Sequence, residues 1–167
     1  SPDGREIAFT STRDGNSEVH VLTLGGAATR RLTRNAVADH NPAWSPDGAE
    51  LVFYREVEGG SADQIHWVSA DGGEERRLTR NADLNIFPAY LPDGRVTFSR
   101  RSNDSGEQRL VILDPTSSSE TVIGPEGAFY GRWSPDGREV LFIAGDWPSA
   151  SIYGMSADGD AVRKVVD

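Results

Sequence analysis

The chain contains no cysteine. That excludes disulfide staples and thiolate metal sites, and leaves the redox compartment open, since cysteine-free proteins occur in both kinds. Long apolar runs are missing too: nothing approaches the roughly 20 residues that a spanning helix needs. There is no excess of cations. Lys and Arg number 17 against 26 Asp and Glu, a net charge of −9. Nucleic-acid affinity rests on clustered cations that release counterions, so the balance argues against a phosphate-binding surface and suits a chain that stays dispersed. Helical periods and helical caps are absent throughout. The chain opens on "SPDG", inside a turn, so the want of a signal peptide carries no weight.

What the sequence does have is a repeat. "SPDG" stands at residues 1, 45 and 134 and "LPDG" at 91, giving spacings of 44, 46 and 43. Other columns keep that register. Phe9, Phe53, Phe98 and Phe142 follow the turns, and Trp44, Tyr90 and Trp133 precede the later three. A second apolar run comes next ("EVHVLTL", "QIHWVSA", "RLVILD", "SIYGMSA"), then a polar turn, then a short closing run such as "TRRLTR" or "ERRLTR". The units are 1–44, 45–90, 91–133 and 134–167, read together as a single segment.

Each run is short, rich in Val, Ile, Phe and Tyr, and bounded by Gly, Pro, Asp and Asn, as strands are. In the turn, Pro presets φ, Asp bonds the backbone ahead and Gly supplies the positive φ that closes it. Four short antiparallel strands in about 40–45 residues predict a β-propeller blade. The expected fold is all-β, with four four-stranded antiparallel blades, the first lacking its innermost strand. Two connections per blade, first to second strand and third to fourth, are tight and share one face. The longer connections share the other.

At these columns the chain resembles the TolB-type propeller repeat, whose blades read roughly PxWSPDGxxIxFxSxRDGNxEIYVMDxxGGxxxxLT. The likeness runs from residue 1 to 167 and is close in the first two units; the third departs at Leu91 and "PTSSSE", the fourth at "GDWPSAS" (145–151). Such propellers occur in TolB of the bacterial envelope, ahead of prolyl-oligopeptidase-type serine peptidases, and in sensor proteins. The resemblance implies a protein or peptide partner and a periplasmic or extracellular place; on composition and motifs, no cofactor, no nucleic acid and no membrane insertion are expected. It also implies six or more blades to a ring, about 260 residues. Four units would leave two apolar blade faces in water, and patches of that kind mark association surfaces. The expectation is that two copies pair into an eight-bladed ring, or that the chain is a piece of a longer propeller, such as the gating propeller of a peptidase. A closed four-bladed monomer is the least favoured arrangement.

No catalytic residue is expected. A hydrolase needs a nucleophile with a positioned base, and there is neither a Gly-x-Ser-x-Gly elbow nor a serine patterned with His and acid. No metal site is expected either: "RDGN" (13–16) lacks the spaced carboxylates of a calcium loop, and His20 and His66 share a strand column that reads as packing. Asp3, Asp47, Asp93 and Asp136 read as turn formers. Binding is expected on the face of the longer loops, because a rigid scaffold leaves specificity to its variable connections. Residues 34–41, 80–87 and 124–131 place Asp39, His40, Asn85, Phe87, Phe129 and Tyr130 around the channel mouth. His40 either serves its own loop or hydrogen-bonds a ligand. The remaining loops add Arg13, Asp14, Arg101, Asp104 and Trp147; Trp147 is an interface anchor or packs on a neighbouring blade.

Overall fold

The computed structural model describes residues 1–26, 28–57, 59, 62–145 and 149–166. All regular structure in them is β, in four antiparallel sheets whose strands follow chain order. The first sheet has three strands, β1 (Glu6–Ser11), β2 (Glu18–Thr23) and β3 (Thr29–Arg31). The second has four: β4 (Asp39–Trp44), β5 (Glu50–Arg55), β6 (Gln64–Ser69) and β7 (Glu75–Arg77). The third is β8 (Leu84–Tyr90), β9 (Val96–Arg101), β10 (Gln108–Leu113) and β11 (Glu120–Ile123). The fourth is β12 (Phe129–Trp133), β13 (Glu139–Ala144), β14 (Ser151–Ser156) and β15 (Arg163–Val166). These are the propeller blades that the repeat predicts, the first without an innermost strand.

The turn chemistry explains why one tetrapeptide returns. Ser45 Oγ donates to Asp47 Oδ1 at 2.6 Å and accepts from the Glu50 amide at 3.1 Å, while Asp47 accepts from the Ala49 amide at 3.0 Å. Gly48, at φ 74°, closes the turn, a conformation a Cβ disfavours. The same bonds recur at Ser134 and Asp136. The serine hydroxyl and the backbone amide hold the Asp47 and Asp136 carboxyls below their ordinary range. Leu91 cannot make the serine bond, and Arg95 pairs with Asp93 instead.

Blades pack face to face, so strands inside the arc are apolar on both sides. Leu51, Val52 and Phe53 of β5 are all 0 % exposed. Leu51 and Phe53 join Val19, Val21 and Trp44 in one core. Val52 and Ile65 meet Val96, Phe98 and Tyr90 in the next, and Leu110 and Ile112 meet Phe142, Met155 and Trp133 in the last. Tyr90 also donates to Glu50 Oε1 across its seam at 2.5 Å. The arc does not close, because no described strand of the first sheet touches the fourth. Its outer faces show the consequence. Ile7 is 48 % exposed, whereas Leu51, Val96 and Val140 in the same column are 0 %. Leu141 and Ile152 are 43 % and 38 % exposed, whereas Val52 and Ile65 in their columns are 0 %.

Candidate functional site

The innermost strands β4, β8 and β12 each break register once, between His40 and Ala43, Ile86 and Ala89, and Phe129 and Arg132. Each break is a β-bulge, a device that re-aims a side chain. At its centre stands a left-handed residue: Asn41 at φ 51°, Phe87 at 56° and Tyr130 at 60°. Asn tolerates that conformation and large aromatics do not.

The bulges assemble a row of rings across three blades. His40 stacks on Tyr54 with centroids 5.1 Å apart, Tyr54 meets Phe87 edge to face at 6.0 Å, and Phe87 meets Tyr130 at 5.0 Å. The Arg132 guanidinium closes the row, 4.2 Å from the Tyr130 centroid. All five side chains are half-buried. Ser99 Oγ accepts from the Tyr130 amide at 2.8 Å and pins that bulge. His40 Nε2 lies 3.0 Å from Glu56 Oε1. Burial, then the charges of Asp63 and Glu56, push the Tyr54 hydroxyl up. Between the third and fourth blades this face opens into a cleft of about 340 Å³ lined by Phe87, Phe129, Ile86, Arg101 and Gln108 among others.

Behind the row, each of two blades is fastened by an arginine. Arg55 Nε donates to Asp39 Oδ1 at 2.6 Å and Nη2 to Asp39 Oδ2 at 2.8 Å; the same guanidinium reaches Glu75 at 3.0 and 3.2 Å. Arg100 bonds Asn85 Oδ1 at 2.9 Å and both oxygens of Glu120 at 2.8 Å. Each guanidinium lies 5.3 Å from the ring centroid of its own blade's column Phe, Phe53 or Phe98. Burial pushes the Asp39 carboxyl up, against the pull of Arg55. Burial also opposes the charge on Arg55, yet its bonds to Asp39 and Glu75 outweigh it and raise its pKa.

The structure therefore splits the residues predicted for the channel mouth. His40, Phe87 and Tyr130 stand in the row, and Phe129 lines the cleft with Arg101. Asp39 and Asn85 are 0 % exposed and support the mouth from behind through Arg55 and Arg100. Arg13 lies over Phe9 on the first blade, with Asp14 3.7 Å from the buried His20. Trp147 falls outside the described residues. Sequence reasoning missed Tyr54, Gln108 and the two fastening arginines. A signal existed for the latter: Arg55 and Arg100 both stand two residues after the Phe column.

A family model described as TolB beta propeller domain matches residues 1–167. The protein TolB homolog of Chlorobium chlorochromatii is 30% identical over 149 residues, covering 84% of this chain and 31% of that protein. A TolB structure from Agrobacterium tumefaciens aligns with a TM-score of 0.85 at 26% identity, over 98% of this chain and 62% of that one. A puromycin-hydrolyzing peptidase from Mycobacterium tuberculosis shares the fold, with a TM-score of 0.72 at 18% identity over 99% of this chain and 28% of its own. The chain thus spans less than a third of the Chlorobium protein and of the peptidase.

Proposed function

The chain belongs to the TolB β-propeller family, and on that premise we propose that it is a non-catalytic scaffold that binds a protein or peptide partner. It acts as one propeller segment, residues 1–167, in a periplasmic or extracellular setting. Its recognition surface is the long-loop face, and the observation that supports this is the row of half-buried rings raised on bulges in three successive blades. Aromatic anchors with arginine are what protein interfaces concentrate. Peptides selected for binding from a display library test the reading. They should lose affinity for Tyr130→Ala and keep it for Arg138→Ala on the tight-turn face; the opposite pattern overturns it.

The same scaffold completes its ring with a second copy. The open face of the first blade offers Ile7 and that of the fourth offers Leu141 and Ile152, at columns that the internal seams bury. Two copies joined head to tail at both seams make eight blades. Light scattering after gel filtration should give a dimer that Leu141→Glu converts to monomer; a compact monomer for the parent chain overturns the pairing. The likeness to a peptidase supports a second reading, a piece of a gating propeller. A hydrolase segment in the neighbouring coding sequence would decide for it.

A further inference from the structure

The cleft between the third and fourth blades combines three properties that point to one ligand chemistry. Four apolar side chains, Leu84, Ile86, Phe87 and Phe129, line it beside Ser99 and Arg100. Arg101 and Gln108 line it as well. Among the described residues, the exposed Arg101 guanidinium has no ion pair or hydrogen bond and the Gln108 side chain has no partner. Arg100, its neighbour in sequence, is fully engaged by Asn85 and Glu120. The third property is strain. Phe87 is held at φ 56°, where a side chain with a Cβ is disfavoured, and such strain persists where function keeps it. At the same bulge in the second blade stands Asn41, which relaxes it.

We propose that this cleft takes a single large apolar side chain of an extended peptide together with a carboxylate one or two residues away. The proposal rests on the reading of the long-loop face as a peptide-binding surface. The apolar group packs between Phe87 and Phe129, where rings favour edge-to-face contact. The carboxylate pairs with Arg101, whose fork suits bidentate bonds, and the Gln108 amide is placed to bond the peptide backbone. A volume of about 340 Å³ lies at the small end of ligand sites, which suits one side chain and not a docked helix. The net charge of −9 repels acidic segments at long range, so acceptance of a carboxylate rests on Arg101.

The test is an amide NMR titration of the whole chain with two blocked tetrapeptides, acetyl-Gly-Phe-Asp-Gly-amide and its Asn counterpart. The Asp peptide should move the Gln108 and Gly145 signals and bind roughly tenfold more tightly than the Asn peptide. Arg101→Gln should make the two peptides equal without abolishing binding. Phe87→Asn should weaken both while its amide spectrum stays as dispersed as that of the parent chain, which separates lost recognition from lost folding. Equal affinity of the two peptides for the parent chain overturns the carboxylate assignment and leaves peptide binding at this face standing. Unchanged affinities in Phe87→Asn overturn the place of Phe87 in the cleft. No signal change with either peptide, alongside selected peptides that still depend on Tyr130, overturns this proposal alone.

Discussion

In the second blade Arg55 lies between two carboxylates, Asp39 and Glu75; in the third, Arg100 at the same column lies between the Asn85 amide and Glu120. The surroundings follow that one change. Asn35 turns its Nδ2 toward Asp39 at 2.8 Å, while Asn81, its counterpart, turns Oδ1 toward Asn85 Nδ2 at 2.8 Å. The backbone holds both in the same way: the Val37 amide donates to Asn35 Oδ1 at 2.9 Å and the Asp83 amide to Asn81 Oδ1 at 3.1 Å. The comparison teaches that a repeat conserves the shape of a fastening and lets its charge vary, provided the neighbouring Asn offers the matching end of its amide.

Removing the arginines should separate the two blades most. Arg55→Met leaves Asp39 buried, charged and unpaired, a loss of about 3–5 kcal/mol. Arg100→Met leaves a neutral amide behind, at about 1–3 kcal/mol. Urea unfolding of both variants checks the order, and equal losses would break the comparison.

The next effect is one of pH. His66 in the second blade is pushed down to about 3 by burial, then by Arg55, Arg77 and Arg80; Val111 holds that column in the third blade. A histidine near 6.5 when unfolded and near 3 when folded binds its proton in the unfolded state first. Its contribution is therefore complete above pH 6.5 and is lost as pH falls toward 3. At pH 5 the loss is about 2 kcal/mol. His66→Val should remove that slope, so its stability difference from the parent must change between pH 7 and pH 5. Asp39, pushed up by burial, acts with the opposite sign, losing stability as pH rises from 3.8 through its folded value.

Interchanging the fastenings is the sharper and smaller test. Asp39→Asn copies the third blade's residue without its surroundings, so a new NH₂ group faces Asn35 Nδ2 and Arg55. One unmet pair of donors costs about 1–3 kcal/mol. A neutral outcome at pH 7 would mean that the two fastenings are interchangeable.

The same contrast explains what could be read in advance. The blades were legible because the PDG turn and the Phe column each answer to a physical demand that every blade shares: closing a hairpin and filling a seam. Asp39 and Asn85 were legible as residues of the mouth, yet their burial was not. Nothing in "ADHN" or "DLNI" records that Arg55 and Arg100, two residues beyond a strand's Phe, reach back to cover them. Nor does it leave a trace that Asn35 offers Nδ2 to Asp39 while Asn81 offers Oδ1 to Asn85, since the residue is the same. Tyr54 links His40 to the next blade because a bulge there carries Phe87 to it.

The bulge gives the smallest effect and the finest comparison. Asn41 and Phe87 occupy one backbone shape, at φ 51° and 56°, so the second blade shows the relaxed choice and the third the strained one. Asn41→Ala should cost about 1 kcal/mol, because Ala lacks the tolerance of Asn for the left-handed region, and Asn41→Gly should cost less than that. Thermal unfolding of both checks the pair. If Ala and Gly behave alike at residue 41, the bulge accepts any residue without penalty. Phe87 would then sit there for packing against Tyr54 and Tyr130 alone, and its backbone would carry no sign of a ligand.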